Sequence, residues 1–138
     1  MKRNRRTGRW ICLLMLGLLL TGCGRNKIDE EKLRDMDYTV TSEDRLPIEL
    51  KELIDRKKTE PFKMTYRDGD YLYICQGYGT QPSGGYSIQV KDVYMTSNAV
   101  YFSSTLTGPL QTEMKIEKET TPYIVIKVEY QDMTVVFD

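Results

Sequence analysis

The side chains able to do chemistry in this 138-residue chain are few and restricted in type: three cysteines, at positions 12, 23 and 75, twenty Asp and Glu, and no histidine. Without histidine, Ser-His-Asp and Cys-His catalysis are excluded, because neither nucleophile has its base. A His-ligated zinc site is excluded with them. Carboxylate chemistry stays open, with Asp68, Asp70 and Asp92 as candidates. Asp68 and Asp70 flank Gly69 and are accounted for by a turn, and the sequence does not show two carboxylates converging. Cys75 sits in the apolar stretch Leu72-Tyr73-Ile74-Cys75 and reads as a buried, inert thiol rather than a reactive one. The segment Gly77-Tyr78-Gly79-Thr80-Gln81-Pro82-Ser83-Gly84-Gly85-Tyr86 raises the idea of a phosphate cradle. A P-loop needs Gly-Lys-Ser/Thr opening a helix; here there is no lysine, and strand-like residues follow. Two readings of the segment remain. One is a tight connection between strands, with glycines supplying unusual φ. The other is a binding surface in which Tyr78 and Tyr86 flank mobile glycines, a composition suited to protein contact.

Cys23 has a different setting. A basic head, residues 1–9, is followed by a short apolar run, residues 10–20, and then by Thr21-Gly22-Cys23. Basic, apolar and small-residue regions in that order describe a secretory signal. A Cys directly after Leu20-Thr21-Gly22 resembles the bacterial lipobox, which implies a diacylglyceryl group on the Cys23 thiol and cleavage that leaves Cys23 first. The apolar run is about half of the roughly 20 residues needed to span a bilayer, whereas two acyl chains anchor a protein stably. Thr7-Gly8-Arg9-Trp10 fits a twin-arginine signal poorly, so ordinary secretion is expected. The expected organisation is a signal peptide over residues 1–22, a lipidated N-terminus and tether over 23–36, and one domain over 37–138, held at the extracytoplasmic face of a cell membrane. Cys12 then leaves with the signal and Cys23 is acylated, so Cys75 is left alone. No disulfide, thiolate zinc site, metal or cofactor is expected. Residues 1–22 hold five basic and no acidic side chains, so the net charge moves from zero to −5 on their removal. An acidic surface argues against nucleic acid and against electrostatic adhesion to anionic lipid.

The elements that must position these residues are mostly strands. Residues 24–36 are polar and charged and read as a solvated tether, with a short helix over 28–36 as the alternative; thirteen extended residues would reach about 45 Å. Residues 37–41 have strand composition. Pro47 suits a first helical turn, with Ser42 or Asp44 as cap. Ile48, Leu50, Leu53 and Ile54 then fall near helical spacing, and Pro61 ends the segment. Asp68-Gly69 is the strongest hairpin signal, read as a type I′ turn. That loop pairs Arg67 with Asp70, Tyr66 with Tyr71, Met64 with Tyr73 and Phe62 with Cys75, gathering the apolar residues on one side. In residues 86–96 the apolar phase changes from even to odd, which predicts a bulge at Lys91-Asp92. A turn at Ser97-Asn98 sets Val93 opposite Phe102 and Met95 opposite Val100. Residues 111–121 read as a loop or exposed edge. A tight turn at Gln131-Asp132 pairs Val128 with Val135 and Ile126 with Phe137. The fold class is α+β and β-rich: a mostly antiparallel sheet of six or seven strands, rolled or folded into a small sandwich, with one N-terminal helix packed on it.

Gly77, the run Gln81-Pro82-Ser83-Gly84-Gly85-Tyr86-Ser87, and Thr121-Pro122-Tyr123 before the last long strand together resemble the PrcB C-terminal domain family. The resemblance spans residues 62–128 and reaches back to Tyr38. The family's usual Thr before Gly-Gly is Ser83 here, which keeps the hydroxyl. The family's namesake is an accessory subunit of a secreted bacterial protease complex, so the resemblance implies a non-catalytic, protein-binding role. It transfers no catalytic residue. Pro82, Gly84, Gly85, Tyr86, Pro122 and Tyr123 carry over as structural or contact positions, and Tyr78 joins them from its place in the loop.

The expected function is that of a membrane-anchored interaction module that is not an enzyme. Its partners are the bilayer, through acylated Cys23, and an envelope protein, a secreted protease among the candidates. The alternative is a lipoprotein that binds a small ligand or glycan, with nine of the ten tyrosines lying from Tyr66 onward. Core packing is the commoner use of strand tyrosines.

Overall fold

The computed structural model describes residues 27–110 and 117–138. The signal segment, Cys23 and most of the loop expected over 111–121 lie outside the described residues. Eight strands and one helix follow in the order β1 (Arg34–Asp35), β2 (Thr39–Val40), a 3-10 turn (Glu43–Arg45), α1 (Ile48–Lys57), β3 (Pro61–Asp68), β4 (Tyr71–Tyr78), β5 (Ser87–Met95), β6 (Ala99–Thr107), β7 (Tyr123–Glu129) and β8 (Thr134–Phe137). They form two four-stranded sheets, β1-β5-β6-β8 and β2-β7-β4-β3. All pairings are antiparallel except β6 with β8. The β-rich sandwich expected from the sequence is present, with more strands than the expected six or seven. The helix follows two short strands instead of opening the domain.

Two apolar layers hold it together. Between the sheets, Leu72, Ile74, Ile124, Ile126 and Val128 meet Val93, Met95, Val100 and Phe102. On the other face of the second sheet, Leu46, Leu50 and Ile54 cover Tyr73, Cys75 and Val125, with Phe62, Met64 and Tyr66 packed at the margin. Both faces of that sheet are therefore covered, which is why β4 and β7 read as near-continuous apolar runs. Pro47 precedes α1 as its N-cap, and Ser42 opens the 3-10 turn instead. Ile48, expected on the buried stripe, is exposed; Leu46, just ahead of the helix, takes the buried place.

The β3–β4 hairpin keeps the expected side of each residue but shifts its register by two. Tyr66 pairs with Tyr73, Met64 with Cys75 and Arg67 with Leu72. The loop residues are Gly69 and Asp70, with φ +60° at Gly69 and, among the described residues, no non-glycine residue at positive φ. A single positive φ at the first loop position belongs to a type II′ turn, whereas a type I′ turn at Asp68-Gly69 would force Asp68 into the left-handed region. The expected Arg67–Asp70 pair is thereby lost, and Arg67 lies over the Tyr130 ring at 3.7 Å.

In β5–β6 the expected pairs Val93–Phe102 and Met95–Val100 are present, with the register shift between Val90 and Asp92. The buried Thr96 hydroxyl closes the turn by accepting from the Ala99 and Asn98 backbone N–H groups. The hairpin expected across Gln131-Asp132 does not form. The edges of β7 are taken by β4 and β2, so residues 130–133 cross to the other sheet and β8 adds in parallel to β6. Residues 27–36, expected as a solvated tether, lie against the domain: Arg34 and Asp35 pair with Met95 and Tyr94, and Met36 is buried. Among the described residues no helix is long and apolar enough to cross a membrane.

Candidate functional site

The glycine-rich segment begins at the end of β4 in one sheet and ends at the start of β5 in the other. It is a crossover between layers, not a hairpin loop. Gly79 (φ +76°) and Gly85 (φ +84°) are left-handed, and a Cβ on either would stand 2.9 Å from Pro61 or Pro109. Positive φ and close approach thus demand glycine together.

The segment is bolted down from several sides. The Thr80 backbone N–H and hydroxyl both donate to the Thr59 carbonyl, each at 3.1 Å. Gln81 and Thr120 exchange two backbone hydrogen bonds, at 2.7 and 3.1 Å. The Thr120 hydroxyl donates to the Ser83 carbonyl at 2.7 Å, and the Tyr78 N–H donates to the Pro122 carbonyl at 3.0 Å. These bonds fit the reading of the segment as a tight connection between strands. Thr80, Pro82 and Gly85 remain exposed on the outer surface.

The tyrosines divide. The Ser104 hydroxyl donates its one proton to Gln76 Oε1 at 2.7 Å, so the Tyr78 hydroxyl, 2.5 Å from Ser104 Oγ, is the donor of that pair. Tyr78 therefore pins the seam between the sheets. The Tyr86 ring lies beside Gly108, where a Cβ would stand 3.3 Å from Cε1. Tyr123 pairs with Gly77 on β4 and packs into the helix-side layer, and burial raises its phenol above the ordinary range. Tyr78, Pro82, Gly84, Gly85, Tyr86 and Pro122 thus come together at one end of the sandwich, while the Tyr123 side chain turns toward α1. Thr59, Ser104, Pro109 and Thr120 complete the end. Sequence reasoning missed them, because each acts through a contact remote along the chain; only Thr120, next to the Thr121-Pro122-Tyr123 motif, carried a nearby signal.

Among the described residues no group of three or more Asp, Glu or Cys side chains is placed to hold a metal ion. Asp68 and Asp70 sit exposed at the hairpin tip. Cys75 is fully buried, and burial pushes its thiol up to about 12. A further feature, unheralded in the sequence, is an open groove of about 470 Å³ beside the two-residue strand β2, lined by Thr39, Thr41, Ser42, Arg45, Tyr73 and Lys127 among others.

Residues 72–129 match the family model described as PrcB C-terminal. The match runs from β4 through β7 and so contains the whole crossover and both halves of the inter-sheet core. It begins ten residues after Phe62, where the resemblance in the sequence begins. Neither the curated proteins nor the solved structures contain a match to this chain.

Proposed function

We propose, taking residues 72–129 as a PrcB C-terminal segment, that this protein is a non-catalytic interaction module that binds an envelope protein through the end of the sandwich formed by residues 77–86. In this reading Cys23 is acylated and holds the module on the extracytoplasmic face of a membrane, where it stabilises or localises its partner. A secreted protease is the partner class that the family name suggests.

The observation that carries the reading is the crossover itself. A ten-residue segment rich in glycine is fixed by backbone bonds to Thr59, Thr120 and Pro122, yet leaves Thr80, Pro82 and Gly85 outward. A surface ordered before binding avoids the loop-ordering cost, about 0.5–1.5 kcal/mol per immobilised side chain, that a flexible loop would incur on association. The test is a crosslinking pull-down of the tagged, lipidated chain from its own membranes, with Cys23→Ala and Pro82→Glu beside it. A stoichiometric envelope protein that is retained by wild type and lost with Pro82→Glu supports the reading. Recovery of the chain alone after crosslinking counts against it.

The groove beside β2 favours a second reading. Arg45, Lys127 and Asp44 with the Thr39, Thr41 and Ser42 hydroxyls suit a small hydroxylated ligand, and the volume falls within the range of ligand sites. Thermal-shift measurements against sugars and cell-wall fragments separate the two, since a ligand raises the melting temperature by mass action.

A further inference from the structure

The segment that leads toward Cys23 is fastened to the turn between β5 and β6. Both functions of the Asn98 side-chain amide are used: Nδ2 donates to the Lys27 carbonyl at 2.6 Å, and Oδ1 accepts from the Asp29 N–H at 2.7 Å. The amide thereby mimics the peptide group of a neighbouring strand. The Asp29 carboxylate adds bonds from the Ser97 hydroxyl at 2.8 Å and from the Glu31 N–H at 3.0 Å. Further along, the Leu33 N–H donates to the Met95 carbonyl at 2.8 Å and the Met36 N–H to the Val93 carbonyl at 2.9 Å. The chain is thus held from Lys27 to Met36.

Only four residue steps separate Cys23 from Lys27, a reach of about 14 Å at most, against the 45 Å or so of a free tether. At this same end Ile28 and Leu33 are apolar and exposed. The crossover lies at the opposite end of β5, nine residues and roughly 27 Å away.

We propose that the Asn98–Asp29 clamp fixes the orientation of the domain on the lipid surface, turning the β5–β6 turn, Ile28 and Leu33 toward the headgroups and the crossover at residues 77–86 away from them. The inference rests on the proposed acylation of Cys23. The clamp converts an anchor into a stand: the surface assigned to the partner projects outward instead of tumbling against the bilayer.

The buried Cys75 makes a direct test available, because an introduced surface cysteine is then the reactive thiol of the folded, lipidated chain. Full-length protein is expressed in a lipidating bacterium, purified from membranes and reconstituted in phosphatidylcholine vesicles carrying a headgroup nitroxide lipid. A fluorophore is placed on Leu33→Cys or on Ser87→Cys. Quenching several-fold stronger at position 33 than at position 87, with the difference shrinking in an Asn98→Ala background, is the expected result. Equal quenching at the two positions, or stronger quenching at 87, overturns the orientation while leaving the anchor reading intact. A chain that carries no lipid on Cys23 by mass spectrometry and does not float with vesicles overturns the anchor reading, and the orientation with it.

Discussion

Replacing Gly77 by Ala should destabilise the domain in the native background and stabilise it once Phe62 is removed. Gly77 lies within β4, opposite Phe62 on β3, at ordinary strand φ. A Cβ added there would stand 2.1 Å from Phe62 Cε1 and 2.4 Å from Cδ1. Carbon atoms in good contact lie about 3.5–4.0 Å apart, so the ring must retreat by about 1.5 Å. It can press into the layer beneath α1, at an overpacking cost of about 1–3 kcal/mol. Alternatively it swings out and forfeits the burial of a half-buried aromatic ring, about 1–2 kcal/mol. The cheaper route sets the ceiling. Against it stands the intrinsic gain of Gly→Ala in a strand, about 0.5–1 kcal/mol. Gly77→Ala alone should therefore lose about 1 kcal/mol net, and in a Phe62→Ala background it should gain about 0.5–1 kcal/mol. The coupling of about 1.5–2 kcal/mol lies within the range for residues in contact. Urea unfolding followed by far-UV circular dichroism at constant m reads both values. At this domain size 1 kcal/mol moves the melting temperature by about 4–8 °C. The same sign of effect in both backgrounds would refute the claim that the Phe62 ring is what demands glycine.

Cys75 should resist alkylation in the folded protein at pH 8 and react only on unfolding, read by mass shift in the presence and absence of denaturant. Its thiol is raised by burial to about 12 in the fold against 9.0 in the ordinary state, so the folded chain holds the extra proton between those values. The stability from this group is full below pH 9.0 and is lost as pH rises toward 12; Cys75→Ala should flatten the alkaline arm of a stability–pH curve, and an unchanged arm would contradict this. Phe102→Ala, which empties a fully buried site edge-on to Phe137 between the sheets, should cost about 3–5 kcal/mol in chemical denaturation; a loss below about 1 kcal/mol would mean that the layers close over the cavity. Tyr78→Phe removes the donor to Ser104 and should cost about 0.5–1.5 kcal/mol, with Ser104→Ala in the same background adding less than it does alone; full additivity in the double-mutant cycle would show that the two hydroxyls are independent.

What could be read from the sequence was local. Period-two alternation put Phe62, Met64 and Tyr66 on one side of β3, and they lie there. The change of apolar phase after Val90 located the bulge, and the turn at Ser97-Asn98 set the Val93–Phe102 pairing, because a one-residue slip would have moved a whole apolar set to the wrong face. The absence of histidine excluded His-based catalysis, and the apolar surroundings of Cys75 pointed to a buried thiol, which it is. Composition drew attention to the glycine-rich segment and its flanking Tyr78 and Tyr86, and the family resemblance added Pro82, Gly84, Gly85, Pro122 and Tyr123; neither showed the difference between Tyr78, which pins the sheets together, and Tyr123, which belongs to the layer under α1.

The tertiary structure decided which edges met. Alternation states the face of a strand but not its neighbour. Once β4 and β2 had taken the two edges of β7, the apparent hairpin at Gln131-Asp132 had no edge left to use, and β8 crossed to β6. Residues 27–36 look solvated because their polarity is visible and their partners are not. Asn98, some seventy positions away, supplies both bonds of a strand edge to them, and Met36 finds the core only after the sheets have closed. The crossover became a fixed surface for the same reason: Thr59, Pro109 and Thr120 reach it through the folded chain. Side-chain periodicity is a property of a segment, whereas edge pairing and the satisfaction of backbone polar groups are properties of the closed fold.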